Sequence, residues 1–218
     1  MTSPPPAPPQ QPPSNSILRH LINIDTTVSL TLYNLTQPIL PRSFLKLLEI
    51  SGDGRLFFPI VISVLLSPLP SKSPLLFTVL INLLIGSVLD LIVIGSIKHL
   101  VRRQRPVYNK HMVLTFAVDH WSFPSGHASR VCFIACLINL YSDLVPEVLI
   151  ELKMMSENVK FMNLIVIGWA SLTSISRVLL GRHFVFDVVA GAGLGVVNAF
   201  FVFEYLNFEF VSSKILLW

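Results

Sequence analysis

Charged side chains are scarce in this sequence. Asp, Glu, Lys and Arg make up 13% of its 218 residues against 52% hydrophobic ones, too few to clothe a globular core in water. The shortage excludes an ordinary water-soluble domain and points to a bilayer as solvent. Cysteine is nearly absent: Cys132 and Cys136 stand four apart in an apolar helical stretch. They offer neither a disulfide framework nor a zinc knuckle, which leaves helix packing as their role. No basic segment followed by an apolar run opens the chain, so no secretory leader is expected. Instead Met1 to Ser16 holds seven prolines and reads as a disordered, polyproline-like tail (residues 1–16) ahead of one membrane-embedded domain (residues 17–218). An internal repeat is lacking. So is a phosphate-binding glycine loop, because Ser51-Gly-Asp-Gly54 is too short and too poor in lysine and reads as a turn.

Long apolar runs are what the chain does have. A bilayer core takes roughly 20 apolar residues per helix, and Leu75–Ile97, Ala128–Val145, Phe161–Leu180 and Val185–Phe203 meet or approach that length. Leu56–Leu69 is a shorter fifth run. Before it, Val28–Ile50 is interrupted by Pro38, Pro41, Arg42, Lys46 and Glu49, and reads as a broken first span or an interfacial helix. The expected fold is therefore an all-α transmembrane bundle of five to six spans, with six favoured. Gly191, Gly193 and Gly195 fall inside the last run and suit close helix contacts. Asp90, inside the first long run, should face the bundle and find a partner there.

The net charge of +4 is local rather than spread, since five of the sixteen Lys and Arg lie between Lys98 and Lys110. That distribution marks a site and argues against nucleic acid as a partner. Alternating the spans puts three polar clusters on one membrane face. The first runs from Lys98 to Pro106; if the helix continues, Lys98, Arg102 and Arg105 align on one side. The second is Ser122-Phe-Pro124-Ser125-Gly126-His127, where Ser125 suits a helix N-cap and Gly126 lets backbone N–H groups approach an anion. The third is Ser176-Arg177 through Arg182-His183 to Asp187. On a helix His183 and Asp187 would be paired, with the carboxylate accepting from one ring nitrogen and the other left as a nucleophilic lone pair. Lys72, Lys153, Lys160 and Lys214 lie on the opposite side, which would make that side cytosolic. The clusters would then face a lumen or the exterior, with the endoplasmic reticulum the expected membrane and the plasma membrane the other choice.

These clusters, in order, resemble the three signatures KxxxxxxRP, PSGH and SRxxxxxHxxxD of the type 2 phosphatidic acid phosphatase superfamily. They stand here as Lys98 with Arg105-Pro106, Pro124 to His127, and Ser176-Arg177 with His183 and Asp187. Within that superfamily the chain is similar to the plant lipid phosphate phosphatase beta and polyisoprenoid diphosphate phosphatase branches. The resemblance implies a membrane enzyme that hydrolyses lipid phosphates or isoprenyl diphosphates. His183 would attack phosphorus, Asp187 would orient it and His127 would protonate the leaving oxygen. Lys98, Arg105, Ser125, Gly126 and Arg177 would hold the phosphoryl oxygens. No metal or other cofactor is expected, because a His–Asp pair ringed by cations is a poor cation site. The alternatives are a vanadate-dependent haloperoxidase, against which the spans argue, and a catalytically silent scaffold or lipid transporter, against which the unbroken motifs argue.

Overall fold

The computed structural model describes residues 16–108, 120–142, 159–206 and 208. Apart from Ser16, the proline-rich tail lies outside the described residues. The described residues form seven α-helices: α1 (Ser16–Thr36), α2 (Arg42–Ser51), α3 (Gly54–Leu66), α4 (Pro74–Val101), α5 (Gly126–Leu140), α6 (Val159–Leu179) and α7 (Val185–Tyr205), with a short 3₁₀ turn, Pro70–Lys72, ahead of α4.

Helix starts follow from capping chemistry. The Ser73 hydroxyl accepts from the Leu76 N–H at 3.2 Å with Pro74 at the first helical position, and Asp53 accepts from the Arg55 N–H at 2.9 Å to open α3. α4, α6 and α7 are long and apolar enough to cross a membrane, while α3 and α5 are shorter apolar helices. The expected five to six spans are thus met roughly. Val28–Ile50 is not one helix: the turn at residues 37–41 ends α1 and starts α2, as Pro38 and Pro41 require. Val145, the expected end of the α5 run, lies outside the described residues.

The core forms where α4, α5 and α7 meet, with Leu83, Phe133, Ile134, Leu137, Tyr141, Ala199 and Val202 buried together. Two glycines permit that closeness. A Cβ on Gly191 would stand 2.3 Å from the Ser125 carbonyl oxygen, and one on Gly195 would stand 2.1 Å from that of Ser129. A Cβ on Gly193 would meet nothing within 4 Å, so of the three expected contacts two exist. Asp90 is bonded by the Ser129 hydroxyl of α5, and Asn198 Nδ2 donates to the Gly86 carbonyl at 2.9 Å. Asp90 therefore ties α4 to α5. Outside the core, Leu164, Ile165, Val189, Val197 and Phe200 are exposed, the apolar exterior that a lipid solvent requires.

α2 and α3 follow each other along the bundle. Leu45 packs on Leu179 and Leu180 at the end of α6, Trp169 Nε1 donates to Ser51 Oγ at 2.9 Å, and Phe57 joins the α4–α5–α7 core. α1 meets the start of α7, where Ser29 Oγ accepts from the Val185 N–H at 2.9 Å and Asp25 Oδ1 from the Phe186 N–H at 3.0 Å. These two side chains, one helical turn apart, cap α7 from outside its own sequence.

Candidate active site

The three polar clusters meet at one end of the bundle because short backbone bonds join their loops. Lys98, 4% exposed in the last turn of α4, donates from Nζ to the Trp121 carbonyl at 2.6 Å. The Ser122 N–H donates to the Arg103 carbonyl at 2.7 Å, and the Ser125 N–H to the Asp187 carbonyl at 2.9 Å. Ser125 caps α5, its hydroxyl accepting from the Ala128 N–H at 3.5 Å. Gly126 opens that helix, and a Cβ there would approach only Ile94, at 3.4 Å.

One expectation fails here. α4 stops at Val101, and Arg102 takes a left-handed conformation with φ 51°, which turns the chain and ends the helical register. Lys98, Arg102 and Arg105 therefore do not share a helix face. Arg102 is exposed, its Nε donating to the His99 carbonyl at 2.8 Å, whereas Arg103 and Arg105 turn inward.

His183 is 1% exposed and its tautomer is set twice over. Nδ1 lies 2.8 Å from the Ser122 carbonyl oxygen, which can only accept, so Nδ1 carries the proton. Nε2 lies 3.2 Å from Arg105 Nη1, which can only donate, so Nε2 presents a lone pair. Burial, reinforced by Arg105, Arg177 and Lys98, holds this imidazole well below its ordinary pKa, and the Ser122 carbonyl opposes that shift. The ring is neutral with one nucleophilic nitrogen.

Asp187 plays a different geometric part from the direct pairing expected of it. Its Oδ2 is 3.7 Å from His183 Nδ1, because His183 sits in the turn before α7 rather than on the helix. Oδ2 accepts instead from the Phe184 N–H at 2.9 Å and from the Ser122 hydroxyl. Ser122 thus joins carboxylate to imidazole, its hydroxyl on Asp187 and its carbonyl on His183. Oδ1 is held by Arg103 Nη1 at 2.7 Å, and Arg103 Nη2 reaches Asp25 Oδ2, also at 2.7 Å. The guanidinium carbon lies 4.1 Å from the Phe184 ring centre.

Arg177 is wholly buried. Its Nη1 is bound to Glu49 Oε1 at 2.5 Å, and Arg182 Nε reaches the same oxygen at 3.2 Å. Nε and Nη2 of Arg177 are buried with no hydrogen-bond partner among the described residues. These two N–H groups form one edge of the guanidinium, the fork that fits two oxygens of a phosphate. A buried unsatisfied charged donor is costly, and this edge has the geometry to take two oxygens of an anion. Arg105 also donates to the Arg182 carbonyl at 2.7 Å. His127, at the mouth of α5, has Arg177, Arg130, His183 and Arg105 as electrostatic neighbours; its Nε2 is buried without a hydrogen bond and lies 4.0 Å from Asp53 Oδ2.

Every sequence-predicted site residue except Arg102 is gathered at this end. Asp25, Glu49 and Asp53 were not foreseen as members, and Arg103 and Ser122, though inside the first and second clusters, were given no role. Arg103 was hidden among neighbouring arginines, and the three acids lie outside the clusters, Asp25 and Glu49 on α1 and α2 and Asp53 in the turn before α3, with only the rarity of carboxylates in this chain to hint at them.

Two histidines, a carboxylate and several cations at one end of an apolar helical bundle define a membrane hydrolase built for a phosphate group. The family model described as PAP2 superfamily matches residues 74–210. The chain is 40% identical over 211 residues to the probable lipid phosphate phosphatase beta of Arabidopsis thaliana, covering 87% of this chain and 92% of that protein. Among solved structures, the transmembrane PAP2 type phosphatidylglycerolphosphate phosphatase of Bacillus subtilis shares the fold at a TM-score of 0.70 and 22% identity, over 85% of this chain and 86% of that one. LpxE of Aquifex aeolicus gives 0.56 at 22% identity, over 81% and 94%. The chain belongs to the PAP2 superfamily and is a membrane phosphatase of that type.

Proposed function

We propose that the protein removes phosphate from a lipid phosphate, a phosphatidate-like monoester or an isoprenyl diphosphate, through a phosphohistidine on His183 and without a metal ion. The observation that carries this is the fixed tautomer of His183, whose Nε2 lone pair stands beside Arg105 among buried cations. Phosphoryl transfer needs little more than positioning and charge stabilisation. Lys98, Arg105 and the free edge of Arg177 supply the charge, with Ser125 and Gly126 at the start of α5. As the Nε2–P bond forms, the P–O bond to the lipid breaks and His127 gives a proton to the leaving oxygen. A water then loses a proton to His127, attacks the phosphohistidine and releases inorganic phosphate. Asp187 acts on His183 through Ser122.

The homologue's name, lipid phosphate phosphatase, and the apolar exterior around the site favour a lipid substrate. Residues 17–218 act as one catalytic domain on this reading, since Asp25 and Glu49 bind motif arginines or the arginine beside them. The membrane is an internal one, the endoplasmic reticulum, with the pocket on the lumenal side; Lys72, ahead of α4 and so at the other end of that helix from Lys98, supports that orientation.

The test is phosphate release and phosphoenzyme trapping with labelled phosphatidate in EDTA, on full-length detergent-purified protein. Unsubstituted protein should turn over and retain label, and His183→Ala should do neither. Label on the His183→Ala protein would overturn the nucleophile, and turnover restored only by magnesium would overturn the metal-free reading.

A further inference from the structure

Two carboxylates from the α2–α3 region reach the pocket, and their commitments differ. Glu49 is bound to Arg177 and Arg182. Asp53 caps α3 and is gripped by the Arg55 guanidinium at 2.6 Å, with its Oδ2 4.0 Å from His127 Nε2. The turn that carries it is held tightly in place. A Cβ on Gly52 would stand 2.8 Å from Thr173 Cγ2 and 2.9 Å from Val131 Cγ1, and one on Gly54 would stand 3.1 Å from the Arg130 guanidinium carbon. The groups around His127 come from every element packed on it: Arg177 from α6, Arg130 from α5, Arg105 from the loop after α4, and His183 from the turn before α7. Burial first, and then all of these, oppose a charged imidazole; Asp53 favours one.

We infer that Asp53 is the positioning residue for the proton donor His127, taking the Nε2–H of the imidazolium so that Nδ1–H faces the leaving oxygen. This rests on the phosphohistidine reading above. The electron pair of the breaking P–O bond goes to the lipid oxygen, which takes the Nδ1 proton; His127 keeps Nε2–H on Asp53 and regains its Nδ1 proton from the attacking water. The 4.0 Å contact must shorten by about 1 Å to become a hydrogen bond, the tightening that catalytic contacts show once substrate is bound. Arg55 and the helix cap keep the carboxylate within that reach.

The experiment compares two leaving groups in the full-length purified protein. Phosphatidate leaves as a basic alkoxide and needs the proton, whereas p-nitrophenyl phosphate leaves as a stable phenolate and does not. Asp53→Asn removes the charge and retains a good helix cap. We expect the single-turnover rate of phosphoenzyme formation from phosphatidate to fall about 10- to 100-fold, within what a general acid supplies, and that from the aryl ester, which precedes the water step common to both substrates, to change less than about threefold. The limb on which activity falls as pH rises should move to lower pH, because the imidazolium has lost its carboxylate. In a His127→Ala background Asp53→Asn should have no further effect, and Asp53→Ser, which also caps, should repeat the result. Equal losses on both substrates, or an undiminished loss in the His127→Ala background, would overturn the inference and leave Asp53 a structural cap. If unsubstituted protein releases phosphate from neither substrate, or His183→Ala remains active, the phosphatase reading itself falls.

Discussion

Replacing Arg103 tests how the pocket is held together. Its guanidinium joins Asp25 and Asp187 at 2.7 Å each, and these acids are 1% and 0% exposed. Arg103→Met keeps the length of the side chain and its contact with Phe184, but strands two buried carboxylates without their cation. Breaking a buried pair in this way costs about 3–5 kcal/mol. For a chain of this size about 1 kcal/mol moves Tm by 2–4 °C, so the variant should melt about 6–20 °C below the unsubstituted protein in the same detergent. Activity should fall as well, since Asp187 anchors Ser122 and Ser122 sets the His183 tautomer. Arg103→Lys should recover part of the loss at most, because an ammonium lacks the fork that reaches both acids. Adding Asp25→Asn to Arg103→Met removes one stranded charge and should restore stability. The assay is thermal unfolding alongside phosphate release. A Tm for Arg103→Met within about 2 °C of the parent, a shift worth less than about 1 kcal/mol, would refute the bridge.

Stability should also depend on pH through His183. Its folded-state pKa lies below the ordinary histidine value, so on acidification the unfolded chain takes up the proton first and stability falls below about pH 6.5. Between pH 7 and pH 5 the loss should appear as a Tm decrease that His183→Gln reduces; an identical decrease in that variant would contradict the buried neutral ring. On α7, Gly195→Ala places a methyl 2.1 Å from the Ser129 carbonyl oxygen and 2.9 Å from the Phe133 nitrogen, both backbone, and should destabilise by about 1–3 kcal/mol. Gly193→Ala meets nothing within 4 Å and should gain up to about 1 kcal/mol from helix propensity. Matching Tm values for the two would show that α5 and α7 do not approach as described.

The sequence made the bundle and the meeting of the motif residues legible because both rest on strong local signals. Apolar runs of bilayer length announce helices, and alternation across a membrane sends Lys98, His127 and His183 to one face without any knowledge of packing. What escaped depended on single dihedral angles and on distant partners. The left-handed turn at Arg102 has no glycine or proline to signal it, and it exchanges the arginine expected in the pocket for its neighbour. The His183–Asp187 spacing suggested a direct pair, but the chain enters α7 only at Val185, so a serine carbonyl accepts the hydrogen bond of the ring N–H. Glu49 and Asp53 reach residues more than seventy positions away, beyond anything periodicity can register.

The family match begins at Pro74, yet Asp25 and Ser29 on the first helix hold the backbone that directly follows His183. The scaffold around His183 is therefore not coextensive with the recognisable signature. A fragment trimmed to the matched region would keep every motif residue and lose the scaffold that aims them, so a designer transplanting this chemistry must carry over the upstream helices, whose own sequences advertise no chemistry at all.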